Sequence, residues 1–261
     1  MNTLIREIAE LGQSQSFYGT INTAAFVISL CFSLWHGKKL GIALWKMLII
    51  LLVTDQCMGL IQGVINPILD IMKETNFLGI ETKVGSIVRV FAFLPLIAIP
   101  LARIFRLKWS LVCDALAFFP LFTSALGQLA CIFPGCCHGY ESIFGIYNPR
   151  TGLYHFPVQI LETILTLAIL AYLVYRLHRR AYVSDGMLYP EMMALYGLMR
   201  FICEAMRDNE KIFLGCSGVA FHALLLLVLG FSILLHKEKK NKSISIEAEP
   251  IPVDVPAQSA E

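Results

Sequence analysis

Apolar runs of about twenty residues alternate with short polar breaks along most of the chain. They predict seven helices, at about 17–35, 41–66, 85–104, 109–133, 157–177, 187–207 and 217–236. At 1.5 Å per residue each is long enough to cross a hydrocarbon core of about 30 Å. The basic residues fall in the breaks in an alternating way. Twelve lie at one set of ends: Lys38, Lys39, Arg103, Arg106, Lys108, Arg176, Arg179, Arg180, Lys237, Lys239, Lys240 and Lys242. Six lie at the other set (Arg6, Lys73, Lys83, Arg150, Arg207 and Lys211), and Lys46, Arg89 and Arg200 fall within spans. The basic-rich ends belong in the cytoplasm, which puts the N-terminus outside and the C-terminus inside. Trp35, Trp45 and Trp109 sit beside the same ends, as an interfacial aromatic belt requires.

The expected fold class is therefore all-α, a polytopic integral membrane protein of about seven transmembrane helices. Its single domain covers 1–242. The polar, acidic and proline-containing stretch 243–261 buries too little apolar surface to order itself and is expected to be a disordered cytoplasmic tail.

Composition agrees with a membrane solvent. Hydrophobic residues make up 57% of the 261-residue chain, charged residues 15%, and the mean hydropathy is +0.67. The net charge is only +2 and the basic residues form no broad patch, which excludes nucleic acid as a partner. The first fifteen residues lack the basic start and small-residue exit of a cleavable signal peptide. Of eight cysteines, Cys31, Cys57, Cys113 and Cys203 fall inside apolar runs and read as small core hydrophobes.

Against this background the polar groups within spans stand out. The fourth run ends in Gly127-Gln128-Leu129-Ala130-Cys131-Ile132-Phe133-Pro134-Gly135-Cys136-Cys137-His138-Gly139, where glycine, proline, three thiols and a histidine break the helix into a re-entrant loop. Pro157 suits a helix start, and Gln159 and Glu162 follow it in the fifth span. The sixth span carries Arg200, Glu204 and Arg207, whose spacings of four and three put them on one face. Arg89 and Tyr18 lie at the same depth on two further spans. A lone charge at mid-bilayer costs roughly 2.5–3.5 kcal/mol, so two arginines and two glutamates at one level need a shared reason. One reason is a structural ion-pair network with Glu204 bridging the two arginines. The other is a cavity for an anionic headgroup, in which guanidinium forks grip a phosphate.

These segments resemble a known family, the bacterial phosphatidylglycerol:prolipoprotein diacylglyceryl transferases. The loop from Gly127 to Gly139 is similar to the family's signature loop. Phe156-Pro157-Val158-Gln159-Ile160-Leu161-Glu162 is similar to its His-Pro-Thr-Gln-Leu-Tyr-Glu segment. Tyr196-Gly197-Leu198-Met199-Arg200-Phe201-Ile202-Cys203-Glu204-Ala205-Met206-Arg207 resembles its Tyr-Gly-x-x-Arg-Phe-x-x-Glu-x-x-Arg helix, and Tyr18-Gly19 its first-helix pair. The resemblance implies transfer of a diacylglyceryl group from phosphatidylglycerol to a cysteine thiol of a secreted lipoprotein precursor, at a bacterial plasma membrane, with no cofactor. It assigns catalytic roles to Arg200, Glu204 and Arg207, with His138 and Cys136 as candidates from the loop. Substrate binding falls to Tyr18, Arg89, Gln128, Cys131, Gly139, Gln159 and Glu162.

The chain departs from the family pattern in several places. Gln128 stands where the family has Arg, Cys131 and Pro134 where it has Asn, and Cys136 where it has Glu. Val88-Arg89-Val90 replaces a His-Gly-Gly, and Gly218-Val219 a Gly-Gln. Losing one preorganised donor to a developing anion costs about 2.7–4 kcal/mol, so Arg89, His138 and His155 are the residues expected to compensate. Two other readings stay open: a phospholipid-binding relative without turnover, and a thiol-disulfide protein using Cys131, Cys136, Cys137 and Cys216. Adjacent residues rarely point at one ion and no spaced ligand pair follows them, so no metal is expected.

Overall fold

The computed structural model describes residues 15–74, 87–148, 150–179, 186–208 and 217–247. Their element order is α1 (Gln15–Lys39), α2 (Leu44–Glu74), α3 (Ile87–Phe105), α4 (Trp109–Leu116), α5 (Phe118–Ala130), β1 (Glu141–Asn148), β2 (Leu153–His155), α6 (Val158–Arg179), α7 (Leu188–Ala205) and α8 (Gly218–Glu247). Helices occupy all seven expected segments. The fourth is made of two helices, α4 and α5, meeting at Ala117. Pro120 explains the interruption, because it offers no N–H to the carbonyl one turn back and its ring crowds that turn.

Five passes are apolar enough over their length to cross a membrane: Tyr18–Lys39, Leu44–Ile61, Trp109–Ala130, Val158–Arg179 and Gly218–Lys239. Val90–Phe105 is apolar but shorter. Helix α7 differs in kind, with Glu191, Arg200 and Glu204 within its 18 residues. Such a segment is tolerated only where protein covers it, and most of its side chains, from Leu188 to Glu204, are buried.

What covers α7 is chiefly α8, and two glycines let the helices touch. A Cβ on Gly197 would lie 2.6 Å from Leu227 N and 2.8 Å from Ala223 O. One on Gly230 would lie 2.6 Å from Ala194 N and 2.7 Å from Pro190 O. Backbone approach of this kind is how helices gain contact in lipid, where no hydrophobic driving force acts between them.

The start of α7 is pinned by a buried carboxylate on α4. Asp114 accepts hydrogen bonds from Gly186 N at 2.9 Å and Tyr189 N at 3.0 Å, supplying the cap that the α7 N-terminus lacks locally. Lys237 on α8 donates to the Gly186 carbonyl, and Arg176 on α6 pairs with Glu191. Pro95 in α3 leaves the Phe91 carbonyl without its intrahelical donor, and Tyr189 Oη donates to that oxygen at 2.6 Å. The basic-rich end is thus fixed by specific bonds between five helices.

At the opposite end, the stretch after the re-entrant loop forms an antiparallel hairpin, pairing Tyr147 with Tyr154 and Asn148 with Leu153. Its register slips between Glu141 and Ile146, and a Cβ on Gly145 would run into the His155 backbone. Ile143 and Phe144 lie on the bulged stretch and are almost fully exposed. Helix α8 continues to Glu247, five residues past the expected domain end, and the rest of the proposed tail lies outside the described residues. Cys113 and Cys203 are buried as expected, whereas Cys31 faces outward from the bundle and Cys57 is half-buried. Within a lipid-solvated bundle an outward thiol meets acyl chain, so apolarity there reports the solvent and not the core.

The α7–α8 contact gives a direct test. Gly197→Val forces the two backbones apart and should destabilise the folded protein by about 1–3 kcal/mol. Thermal unfolding in detergent should show this loss, while Gly59→Val on α2, where a Cβ meets open space, should leave the transition in place.

Candidate active site

Helices α5, α6, α7 and α8 bring their polar groups together at the hairpin end. Helix α6 contributes Gln159 and Glu162, one turn apart. Its Thr163 donates to Gln159 O at 2.9 Å and Ala125 O at 3.0 Å, locking α6 to α5. Helix α7 contributes Arg200 and Glu204. Arg207 follows its last turn, where Met206 O accepts from Tyr140 N at 3.2 Å and Arg207 bridges to Gly139. A side chain at Gly139 would collide with Phe156 O, Val158 Cγ2 and Met206 O, all within 2.9 Å. The loop can pass between the α6 and α7 ends only because a glycine stands there.

The charged centre is Glu162. Its Oε1 pairs with Arg200 Nη1, and its Oε2 lies 2.7 Å from Arg207 Nη2. Glu204 is the looser partner, with Oε2 3.6 Å from both Arg200 Nη2 and Arg207 Nε. The sequence expectation made Glu204 the bridge, but a carboxylate on the same helix as both arginines meets them side-on. One on the facing helix reaches each end-on. All four side chains are buried and their formal charges cancel.

Further contacts extend this centre. Gln128 accepts from Arg207 Nη2 at 3.4 Å, which brings it onto the same guanidinium as Glu162. Gln159 Nε2 donates to Cys136 O at 2.7 Å and so fixes the thiol loop. Ser217 Oγ donates to Glu204 Oε1 at 2.9 Å and accepts from Ala220 N, capping α8 with the same side chain. Sequence inspection missed Ser217 as a contributor, although a serine directly before an apolar helix is a readable capping signal. The Nε atoms of Arg200 and Arg207 have no hydrogen-bond partner among the described residues.

The loop residues divide into two groups. The His138 ring lies 4.0 Å from that of His155, and each Nδ1 sits 3.0 Å from the Gly139 carbonyl. His155 Nε2 is also engaged, with Thr151 Oγ1 at 2.8 Å. No hydrogen bond or ion pair joins His138 to Glu162 or Glu204 among the described residues. The pair lines a small cavity of about 20 Å³ with Gln159 and Asn148. By contrast, the three thiols gather on the arginine side. The sulfurs of Cys131, Cys136 and Cys137 all lie within 4.8 Å of one another, and all three are free. The Cys137 thiol is held far below the ordinary thiol range by hydrogen bonds from Cys131 and Cys136, with help from Arg207, in spite of burial. Tyr18 on α1 hydrogen-bonds to Cys131, which attaches the first pass to the same loop.

Of the residues expected from sequence, Tyr18, Gln128, Cys131, Cys136, Gly139, Gln159, Glu162, Arg200, Glu204 and Arg207 therefore form one connected assembly. His138 makes its contacts with Gly139 and His155. The Arg89 side chain and Cys216 lie outside the described residues.

The fold and this assembly define a class: a polytopic helical membrane protein with a buried, charge-balanced polar centre where four of its passes meet. The chain belongs to the prolipoprotein diacylglyceryl transferase family, whose model matches residues 7–236. Among curated proteins it is similar to the phosphatidylglycerol–prolipoprotein diacylglyceryl transferases of three strains of Dehalococcoides mccartyi. Each is 27% identical over 130 residues, covering 47% of this chain and 49% of the relative. The chain thus spans about half the length of the curated relatives it matches.

The role of Glu162 is testable as stability. Glu162→Gln leaves two buried guanidiniums sharing one distant carboxylate, and breaking a buried pair in this way costs about 3–5 kcal/mol. Glu191→Gln, which breaks a more exposed pair with Arg176, should cost no more than about 1 kcal/mol. Comparing the two unfolding midpoints in one detergent checks the ordering.

Proposed function

We propose that this protein transfers a diacylglyceryl group from phosphatidylglycerol to the cysteine thiol of a secreted lipoprotein precursor, at the outer leaflet of a bacterial plasma membrane. The observation that carries the reading is the pairing of Arg200 and Arg207 through the facing Glu162. Two guanidiniums from positions about two turns apart converge on the one carboxylate, and each keeps its Nε without a hydrogen-bond partner among the described residues. Family membership supplies the reaction class.

The chemistry follows from what such a centre offers. Guanidinium N–H groups aimed at a phosphate oxygen stabilise the charge that builds as the C–O bond of the donor breaks, and glycerol phosphate is the leaving group. Preorganisation matters here, because a pair of arginines already fixed by a carboxylate needs no reorganisation when charge develops. Glu204, tied to Ser217, and Gln128, on Arg207, hold the forks in orientation. The donor's acyl chains remain in the bilayer. An open groove along α1, lined by Gly19, Thr20, Thr23, Ala24, Val27 and Ile28, runs from the level of Tyr18 and offers a lateral path for one of them. The positive-inside count supports placing this end outside, since the other end carries twice as many basic residues.

Purified protein in detergent, given mass-tagged phosphatidylglycerol and a lipobox peptide, should yield peptide heavier by one diacylglyceryl group. Arg200→Ala should lower that rate by about 10²–10³-fold, the cost of one lost oxyanion donor. No transfer above the Arg200→Ala level overturns the reading. In that case phosphatidylglycerol that copurifies with wild type but not with Arg207→Ala would identify a lipid-binding relative.

A further inference from the structure

We propose that Cys131, Cys136 and Cys137 form a three-thiolate site for a thiophilic d10 cation of the Zn2+ class, with its fourth coordination position left for an incoming thiol. The local backbone is built around the convergence of these side chains. Cys131 closes α5, its N–H bonded to Gly127 O. The chain then turns back so that Cys136 N reaches Cys131 O at 3.2 Å. Gly135 makes this turn at φ +64°, in a space where Asn148 fills the position a Cβ would take.

Next comes the feature that defeats the ordinary rule that adjacent residues face apart. Cys137 sits at φ +61°, in the left-handed region that non-glycine residues rarely occupy. That conformation swings its side chain back onto the side of Cys136 and Cys131. Strain of this kind collects where a fold holds a functional group in place.

The resulting geometry suits a metal. Three ligands at the zinc–sulfur distance of about 2.3 Å stand about 3.8–4.0 Å apart around one ion. Here every sulfur is within 4.8 Å of the others, so sub-ångström movements close the site. Thiolates select d10 ions of this type over harder cations. Three thiolates around a divalent ion leave one negative charge, and the Arg207 guanidinium beside Cys137 favours the thiolate form there while it stays paired with Glu162. Among the described residues no fourth His, Cys, Asp or Glu joins the group, as in a zinc site that keeps a position for substrate.

What the open position would do rests on the transferase reading. A thiol that binds there gives its proton to solvent and stays on the ion as thiolate. Its sulfur then attacks the glyceryl carbon of the donor: the C–S bond forms, the C–O bond to phosphate breaks, and glycerol phosphate leaves with the electron pair towards Arg200 and Arg207. The reaction needs no oxidant or reductant.

The test uses the purified full chain in detergent with a non-thiol reductant. Zn2+ should bind at one ion per chain, and Cd2+ should give a thiolate-to-metal charge-transfer band. Cys136→Ser should weaken binding at least about tenfold, while Cys31→Ser, on the outward face of α1, should not. In wild type, bound Zn2+ should protect Cys131, Cys136 and Cys137 from alkylation, read by mass spectrometry without any substitution. No stoichiometric ion, or an ion that leaves all three cysteines reactive, overturns the site. Transfer that continues unchanged after complete chelation overturns its part in activating the thiol, whereas transfer lost on chelation and restored by Zn2+ supports it. Stoichiometric Zn2+ with the three cysteines protected but no transfer under any condition supports the site and refutes the transferase reading alone.

Discussion

One carboxylate on α6 organises this protein. Glu162 accepts from Arg200 with one oxygen and from Arg207 with the other, and this sharing ties the start of α6 to the end of α7. Desolvating four ionised groups is costly, so such a cluster survives only when each charge is met by another and the remaining donors find acceptors. Glu204, Ser217 and Gln128 supply much of that remainder. The arrangement leaves the guanidiniums preorganised, because their orientation is set before any ligand arrives.

Rigidity at the hairpin end depends on how the far end is fixed. Asp114 caps α7 across the bundle, and Tyr189 mends the gap that Pro95 opens in α3. Between the two ends, Gly197 and Gly230 bring α7 and α8 into backbone contact. Helix α7 carries the charges and would not be stable in lipid alone, so it is held at its start, along its side and at its finish. The apolar passes can turn side chains outward to lipid, as α1 does with Cys31.

The loop between the fourth and fifth passes adds a second chemistry beside the first. Gly139 threads the chain between α6 and α7, Gln159 holds the Cys136 carbonyl, and Arg207 touches both Glu162 and Cys137. The same guanidinium therefore belongs to the carboxylate centre and to the thiol cluster. With Cys131, Cys136 and Cys137 gathered here, the polar loop presents sulfur at this spot beside the carboxylates and guanidiniums.

Hydropathy located the helical segments, because lipid obliges each spanning segment to satisfy its own backbone and so writes its length into the sequence. The spacing of Arg200, Glu204 and Arg207 likewise fixed them to one helical face. Partner choice was decided only in three dimensions. That Glu162 and not Glu204 is the closer bridge depends on the approach of α6 to α7. That His138 turns to His155 while Cys137 turns to the other thiols depends on one left-handed residue and on a hairpin whose bulged register no periodicity announced. Periodicity records which solvent each face meets, and lipid is a uniform solvent. Side-chain pairing inside the bundle is set by distances between segments far apart in the chain, and those exist only once the helices have packed.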